Sequence, residues 1–174
     1  IPNSVTNVEG DAFWFCEGLT SIVVESGNSK YDSRNNCNAI IETATNTLIA
    51  GCQNTVIPNN LASIGNNAFN GCSGLTSVTI PDCVTSIGRY AFWYCESLTS
   101  VKIGNSVTSI GTYAFCGCKG LTAITLPSSL TSIDYGAFGS CVNIKELYLE
   151  QSTPPSLGDD AFISSPTAYI PCGT

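Results

Sequence analysis

The chain has 174 residues, of which 43% are apolar and only 11% charged, and its net charge is −7 from 13 acidic and 6 basic side chains. That length supports one domain with a continuous core, and acidity without any basic cluster argues against a nucleic-acid partner. There is no histidine, which removes Ser-His-Asp and Cys-His chemistry, and no apolar run is long enough for a membrane-spanning helix.

From the N-terminus, residues 1–23 read as a first coil that carries Ala12-Phe13-Trp14 and Cys16. Ile1 to Val5 already fit inside a repeat. Solenoids need polar caps, and none precedes Val5, Val8 and Phe13. These three are expected at an exposed edge, with another repeat upstream or end-to-end self-association. Residues 24–56 break the period. Cys37 to Ile41 and Thr47 to Cys52 are apolar stretches around Ala44-Thr45-Asn46, which predicts a β-hairpin with Asn46 in the left-handed region. It reads either as a bulge covering one side of the rod or as a lobe shaping a ligand site.

The regular coils follow at 57–79, 80–102, 103–125 and 126–148. The Ala-Phe pair recurs at Phe13, Phe69, Phe92, Phe115, Phe138 and Phe162, with a 23-residue period through the middle. Each coil reads approximately I-P-x-x-V-T-S-I-G-x-x-A-F-x-x-C-x-x-L-T-x-V-x. The alternation in Leu75 to Ile80 predicts one strand, and Val84 to Ile87 a second. The piece around Ala91-Phe92 is too short for an independent helix and is expected as a single helical turn. No coil can bury its own apolar side chains, so stacking must bury them as columns: Ile64/Ile87/Ile110/Ile133, Phe69/Phe92/Phe115/Phe138 and Leu75/Leu98/Leu121/Ile144. A degenerate coil at 149–174, with Pro154-Pro155, approaches a C-terminal cap. The whole chain, 1–174, is one solenoid of about seven coils.

This pattern resembles the BspA-like leucine-rich repeats, also called the Treponema pallidum type, over nearly the whole chain. The resemblance implies a leucine-rich-repeat solenoid: β-rich, a right-handed superhelix of the α/β class. Its parallel sheet, on one face, is built from the Leu-x-x-Val-x-Ile segments, with short strands and helical turns on the other. It also implies a cell-surface or secreted protein of a Bacteroides-like gut or oral anaerobe, with an adhesion or protein-binding role toward host surface or matrix proteins. The family carries an N-x-x-Y segment and a hairpin like those at Asn28 to Tyr31 and beyond.

Ten cysteines fall into two sets. Cys16, Cys72, Cys95, Cys118 and Cys141 each follow a repeat Phe by three residues. They stack in one column with parallel Cβ vectors, poor geometry for disulfides, and read as reduced core thiols. A column does not converge on a point, so no metal site is expected. The others are Cys37, Cys52, Cys83, Cys116 and Cys172. Cys37 and Cys52 flank the hairpin turn symmetrically. They are cross-strand partners able to bridge if the turn is centred on Ala44/Thr45, and miss each other if a bulge opens at Asn46.

No catalytic residue, cofactor or phosphate-binding loop is expected. The one adjacent acidic pair, Asp159-Asp160, could in principle serve glycoside hydrolysis, but reads as the cap of a helical turn. Two surfaces are candidates for binding. The sheet face carries Ser77, Thr79, Ser100, Lys102, Thr125, Glu146 and Tyr148. The aromatic edge beside the Ala-Phe turns carries Trp14, Tyr90, Trp93, Tyr94 and Tyr113, with Phe15 and Tyr135. Its rings are either hot spots or fillers lying flat on neighbouring coils. The expected function is a non-catalytic surface adhesion module. A structural spacer carrying other domains, or an intracellular interaction scaffold, is the alternative.

Overall fold

The computed structural model describes residues 1–162 and the backbone of 167–169; Cys172 and most of the expected cap lie outside them. It is a β-rich solenoid. The strands in chain order are β1 (Tyr31–Asp32), β2 (Ala39–Glu42), β3 (Thr47–Gly51), β4 (Ser63–Ile64), β5 (Ser77–Thr79), β6 (Ser86–Ile87), β7 (Ser100–Lys102), β8 (Ser109–Ile110), β9 (Ala123–Leu126), β10 (Ser132–Ile133), β11 (Glu146–Leu149), β12 (Ser156–Leu157) and β13 (Thr167–Tyr169).

The longest sheet is built from the Thr-Ser-Ile segments, not from the Leu-x-x-Val-x-Ile segments expected to form it. Its order is β1-β2-β3-β4-β6-β8-β10-β12, parallel from β3 onward. The repeated threonine explains the continuity. Thr85, Thr108 and Thr131 each donate both N–H and Oγ1 to one carbonyl of the preceding coil, at 2.8–3.1 Å. On the Leu-x-x-Val-x-Ile side the ladder is interrupted: β5 pairs with β7, and β9 with β11 and β13, but β7 and β9 are not joined.

The Ala-Phe segments form no helix. Tyr90, Phe92 and Tyr94 donate to Thr112, Ala114 and Cys116 of the next coil, at 2.7–3.0 Å, while Ala91, Trp93 and Cys95 donate three residues back within their own coil. An α-helix needs every N–H for its own axis; here every second one is committed to a neighbour. This alternation places two columns at positive φ, Asn67/Tyr90/Tyr113/Gly136/Asp160 and Phe15/Gly71/Tyr94/Gly117/Ser140, with φ from 52° to 79°. Among the described residues the only helical element is a 3-10 turn at Arg34–Asn36.

The core follows the columns. Phe69, Phe92, Phe115, Phe138 and Phe162 stack face to face at 4.9–5.2 Å, tilted by 7° or less. The column stops at Phe69 because Gly51 of β3 takes the place of the next ring: Gly51 N–H donates to the Ala68 carbonyl at 2.7 Å. A Cβ there would lie 2.1 Å from the Phe69 ring. The predicted hairpin is therefore a wall between two cores. Ala39, Ile41 and Leu48 face the main one, whereas Ile40, Ala50 and Cys52 face a small second one with Ile22, Val24 and Tyr31. Asn46 is left-handed as expected, at φ 52°.

Coil 1 is stitched to this wall by polar side chains. Asn28 Nδ2 donates to the Pro2 and Val5 carbonyls, its Oδ1 accepts from Lys30 and Tyr31 N–H, and Tyr31 Oη accepts from Val8 N–H. Val5, Val8 and Phe13, expected at an exposed edge, are consequently half-buried.

Candidate binding surfaces

The cysteine column shows how much of the repeat is structural. Cys95, Cys118 and Cys141 donate to the carbonyls of Phe69, Phe92 and Phe115, one coil back, at 3.0–3.2 Å. Burial pushes the Cys72 thiol up to about 11, holds Cys95 higher still and raises Cys118 well above its ordinary value. Cys16 does not join the column: it is exposed. Cys37 and Cys52 are free thiols. The pairs Glu42–Thr47 and Ile41–Leu48 centre the turn on Ala44/Thr45, a register that would set them opposite each other. A bulge then shifts the pairing to Ile40–Ala50 and Ala39–Gly51. The bulge lies between Ile40 and Ile41, away from Asn46, and leaves Cys37 in the main core and Cys52 in the second.

Asp159 and Asp160 are exposed. They cap no helix: Asp160 occupies the left-handed column at φ 52°, a conformation aspartate tolerates.

On the sheet face Ser77, Thr79, Ser100, Lys102, Thr125 and Tyr148 are exposed and Glu146 is half-buried. The break between β7 and β9 divides these residues into two patches. A cleft of about 300 Å³ opens at the break, lined by Val101, Lys102, Asn105, Thr125 and Glu150 among others. Tyr148 Oη donates to Glu146 Oε2 at 2.9 Å.

The aromatic edge is a connected strip. Phe15 meets Trp93 at 6.0 Å, Trp93 meets Tyr94 at 4.6 Å and Tyr90 at 5.5 Å, and Tyr90 stacks on Tyr113 at 5.3 Å. Part of it is filler. Phe15, Tyr94 and Tyr113 lie over Gly71, Gly117 and Gly136 of the next coil, in the space a side chain there would need. Trp14, Phe15 and Tyr94 nonetheless remain well exposed. One member of this region escaped sequence reading. Asn70, directly after Phe69, is the one buried polar side chain among the described residues, and its Oδ1 has no partner. Trp14, Trp93, Tyr90 and Asn70 enclose a cleft of about 210 Å³.

The model for the BspA type leucine rich repeat region matches residues 1–49 and 48–168, in six copies. The chain belongs to the BspA-type leucine-rich repeat family. Among solved structures, this BspA-type chain is similar to a leucine-rich cell surface protein from Faecalibacterium prausnitzii A2-165, with 27% identity, TM-score 0.69, and 85% of this chain and 43% of that one covered. A leucine-rich repeat protein from Bacteroides capillosus is 29% identical with TM-score 0.58, over 74% of this chain and 98% of that one. One from Bacteroides ovatus is 28% identical with TM-score 0.59, over 93% and 43%. The chain thus spans less than half the length of the Faecalibacterium protein. No curated protein matches the BspA-type chain. No helix among its described residues is long and apolar enough to cross a membrane.

Proposed function

We propose that this chain is a non-catalytic adhesion module, secreted or held at the cell surface, that presents its aromatic edge to a protein of a host surface or extracellular matrix. One observation carries the reading. Trp14, Phe15 and Tyr94 stand exposed around Trp93 on backbone locked coil to coil by hydrogen bonds, an aromatic cluster of the kind typical of interface hot spots. Membership of a family with a relative named as a cell surface protein supports the location. No cofactor or metal enters the proposal. The sheet face, with Lys102 and Tyr148, is the competing surface.

The test is binding of the chain to immobilised extracellular-matrix and epithelial surface proteins. Trp14→Ala should weaken capture by roughly tenfold or more, and Tyr148→Ala should leave it unchanged. The converse result moves the site to the sheet face. If neither variant changes capture, neither surface is the site; if no partner is captured at all, the spacer reading takes its place.

A further inference from the structure

We propose that the slot between Trp14 and Trp93 is a subsite for one neutral sugar unit of a glycan, an inference that rests on reading the aromatic edge as a binding surface. The slot is a product of the irregular coil. On this edge coil 1 bypasses the hairpin and stacks directly on the third coil, with Phe15 N–H donating to the Asn70 carbonyl at 3.2 Å. Gly71 N–H continues the ladder to the Trp93 carbonyl at 2.7 Å. The residues that follow each repeat Phe therefore form a column, Trp14–Asn70–Trp93, with a small residue between two large ones. At about 4.8 Å per step, the two indole-bearing positions are about 10 Å apart. That leaves room for one ring between them, and the cleft of about 210 Å³ is of that size.

The walls offer ring faces. Trp14 Nε1 donates to the Gly10 carbonyl at 2.7 Å. That polar edge is used internally, which leaves the Trp14 ring face for a ligand. The floor asks for a donor. Asn70 is only 3% exposed; its Nδ2 donates to Asn67 Oδ1 at 3.1 Å, while Oδ1 accepts nothing. Buried polar atoms without a partner are rare, and each calls for an explanation.

These features select a ligand class. A purely apolar side chain would leave Oδ1 unpaired. A lysine or arginine side chain would compete with Arg89 for Tyr90, a wall of the cleft: the Arg89 guanidinium carbon already sits 4.7 Å from the Tyr90 ring centroid and its Nη2 donates to Tyr90 Oη at 3.1 Å. A pyranose has an apolar C–H face to lay on an indole, hydroxyl groups that donate to Oδ1, and no charge. Oδ1 is covered in the empty cleft, so the sugar reaches it by parting the rings. Trp14, 41% exposed and at the edge of the column, is the ring that gives way.

The chain has two tryptophans, and both line this cleft, so its emission reports occupancy without a label. The full chain is screened against immobilised neutral oligosaccharides containing glucose, galactose, mannose or N-acetylglucosamine, and the strongest binder is titrated in solution. We expect a saturable change in emission. Trp14→Ala, read on the immobilised sugar, and Asn70→Leu, which keeps the volume and removes the acceptor, should each weaken binding by about tenfold or more with an unchanged circular dichroism spectrum. The proposal is overturned if no oligosaccharide moves the emission, if both variants bind as the parent does, or if peptides and no sugars bind in the slot. A captured glycoprotein separates the two readings. Equal capture before and after enzymatic removal of its glycans overturns the sugar assignment and leaves the adhesion reading standing. Sugar binding without capture of any protein supports the subsite and removes the protein-adhesion reading.

Discussion

Residues 57–162 and residues 1–56 hold together by different means. In the regular coils one apolar column repeats, the phenylalanines stack at 4.9–5.2 Å, and the coil-to-coil hydrogen bonds recur at fixed positions. In the first 56 residues there is no such column. A two-faced hairpin separates a small core from the large one, and side chains such as Asn28, Tyr31 and Ser33 do the joining. The repeated half can specify its fold with little information, but its surface is largely committed to stacking. The irregular half departs from that rule, and where it meets the stack it creates a cleft with an unpaired acceptor.

The sharpest way to break this contrast is to cut the column. Phe92→Ala removes a fully buried ring flanked by two others, and should cost about 3–5 kcal/mol. Phe13→Ala, at a half-buried ring outside the stack, should cost less than half as much. Urea unfolding of both variants measures the difference; equal losses would mean that the small core is as tightly packed as the large one.

The junction comes next. Gly51→Ala drives a Cβ into the Phe69 ring at a backbone held by the Ala68 hydrogen bond, and should cost about 1–3 kcal/mol. Gly10→Ala, with open space around it, should change stability by no more than about 0.5 kcal/mol. A smaller effect at Gly51 would mean that hairpin and stack are only loosely joined.

The thiols give a third comparison. Cys72 keeps its proton up to about pH 11 in the fold, against an ordinary value of 9.0. Its folded value is raised, so its contribution is complete below pH 9 and is lost between 9 and 11, at about 1.4 kcal/mol per pH unit. Cys95 acts in the same direction, whereas Cys141, held below its ordinary value by the Cys118 hydrogen bond, acts against it. The melting temperature should fall over that range. Cys16, exposed, should be alkylated by iodoacetamide before any thiol of the column, as peptide mapping would show.

The period made the columns, the family and the hairpin with its left-handed Asn46 legible, because buried periodicity writes itself into residue type. It did not reveal which segment makes the long sheet. Thr85 and Thr108 lie in the second predicted strand, but sequence does not show that their hydroxyls bond to the neighbouring coil. Nor did it reveal that Ile40 and Ile41 are both fully buried, since a bulge between two cores cancels the expected alternation. Cys16 has the column's spacing, yet it stands exposed outside the column. Asn70 was hidden because its setting depends on the path of the chain. Its neighbour Trp14 is 56 residues away in sequence, and the contact exists only because coil 1 bypasses the hairpin.

The smallest expected effect tests whether the irregular half depends on charge where the regular half does not. Asp32 is partly buried, which raises its carboxyl, but the Arg34 hydrogen bonds outweigh burial and hold it below 3.8. Arg34 Nη2 lies 2.6 Å from Asp32 Oδ2, and Nη1 donates to Asn46 Oδ1 at 2.9 Å, tying the 3-10 turn to the hairpin loop. Because the folded value is lowered, the stabilisation is present above pH 3.8 and lost as pH falls through the folded value. Both side chains are partly solvated, so the pair should contribute less than about 1 kcal/mol. Arg34→Gln should therefore lower stability slightly at pH 7, and its difference from the parent should shrink as pH falls below 3.8. Amide hydrogen exchange should place the loss in residues 39–51 and leave 86–148 protected. Loss spread evenly along the chain would show that the two halves unfold as one unit.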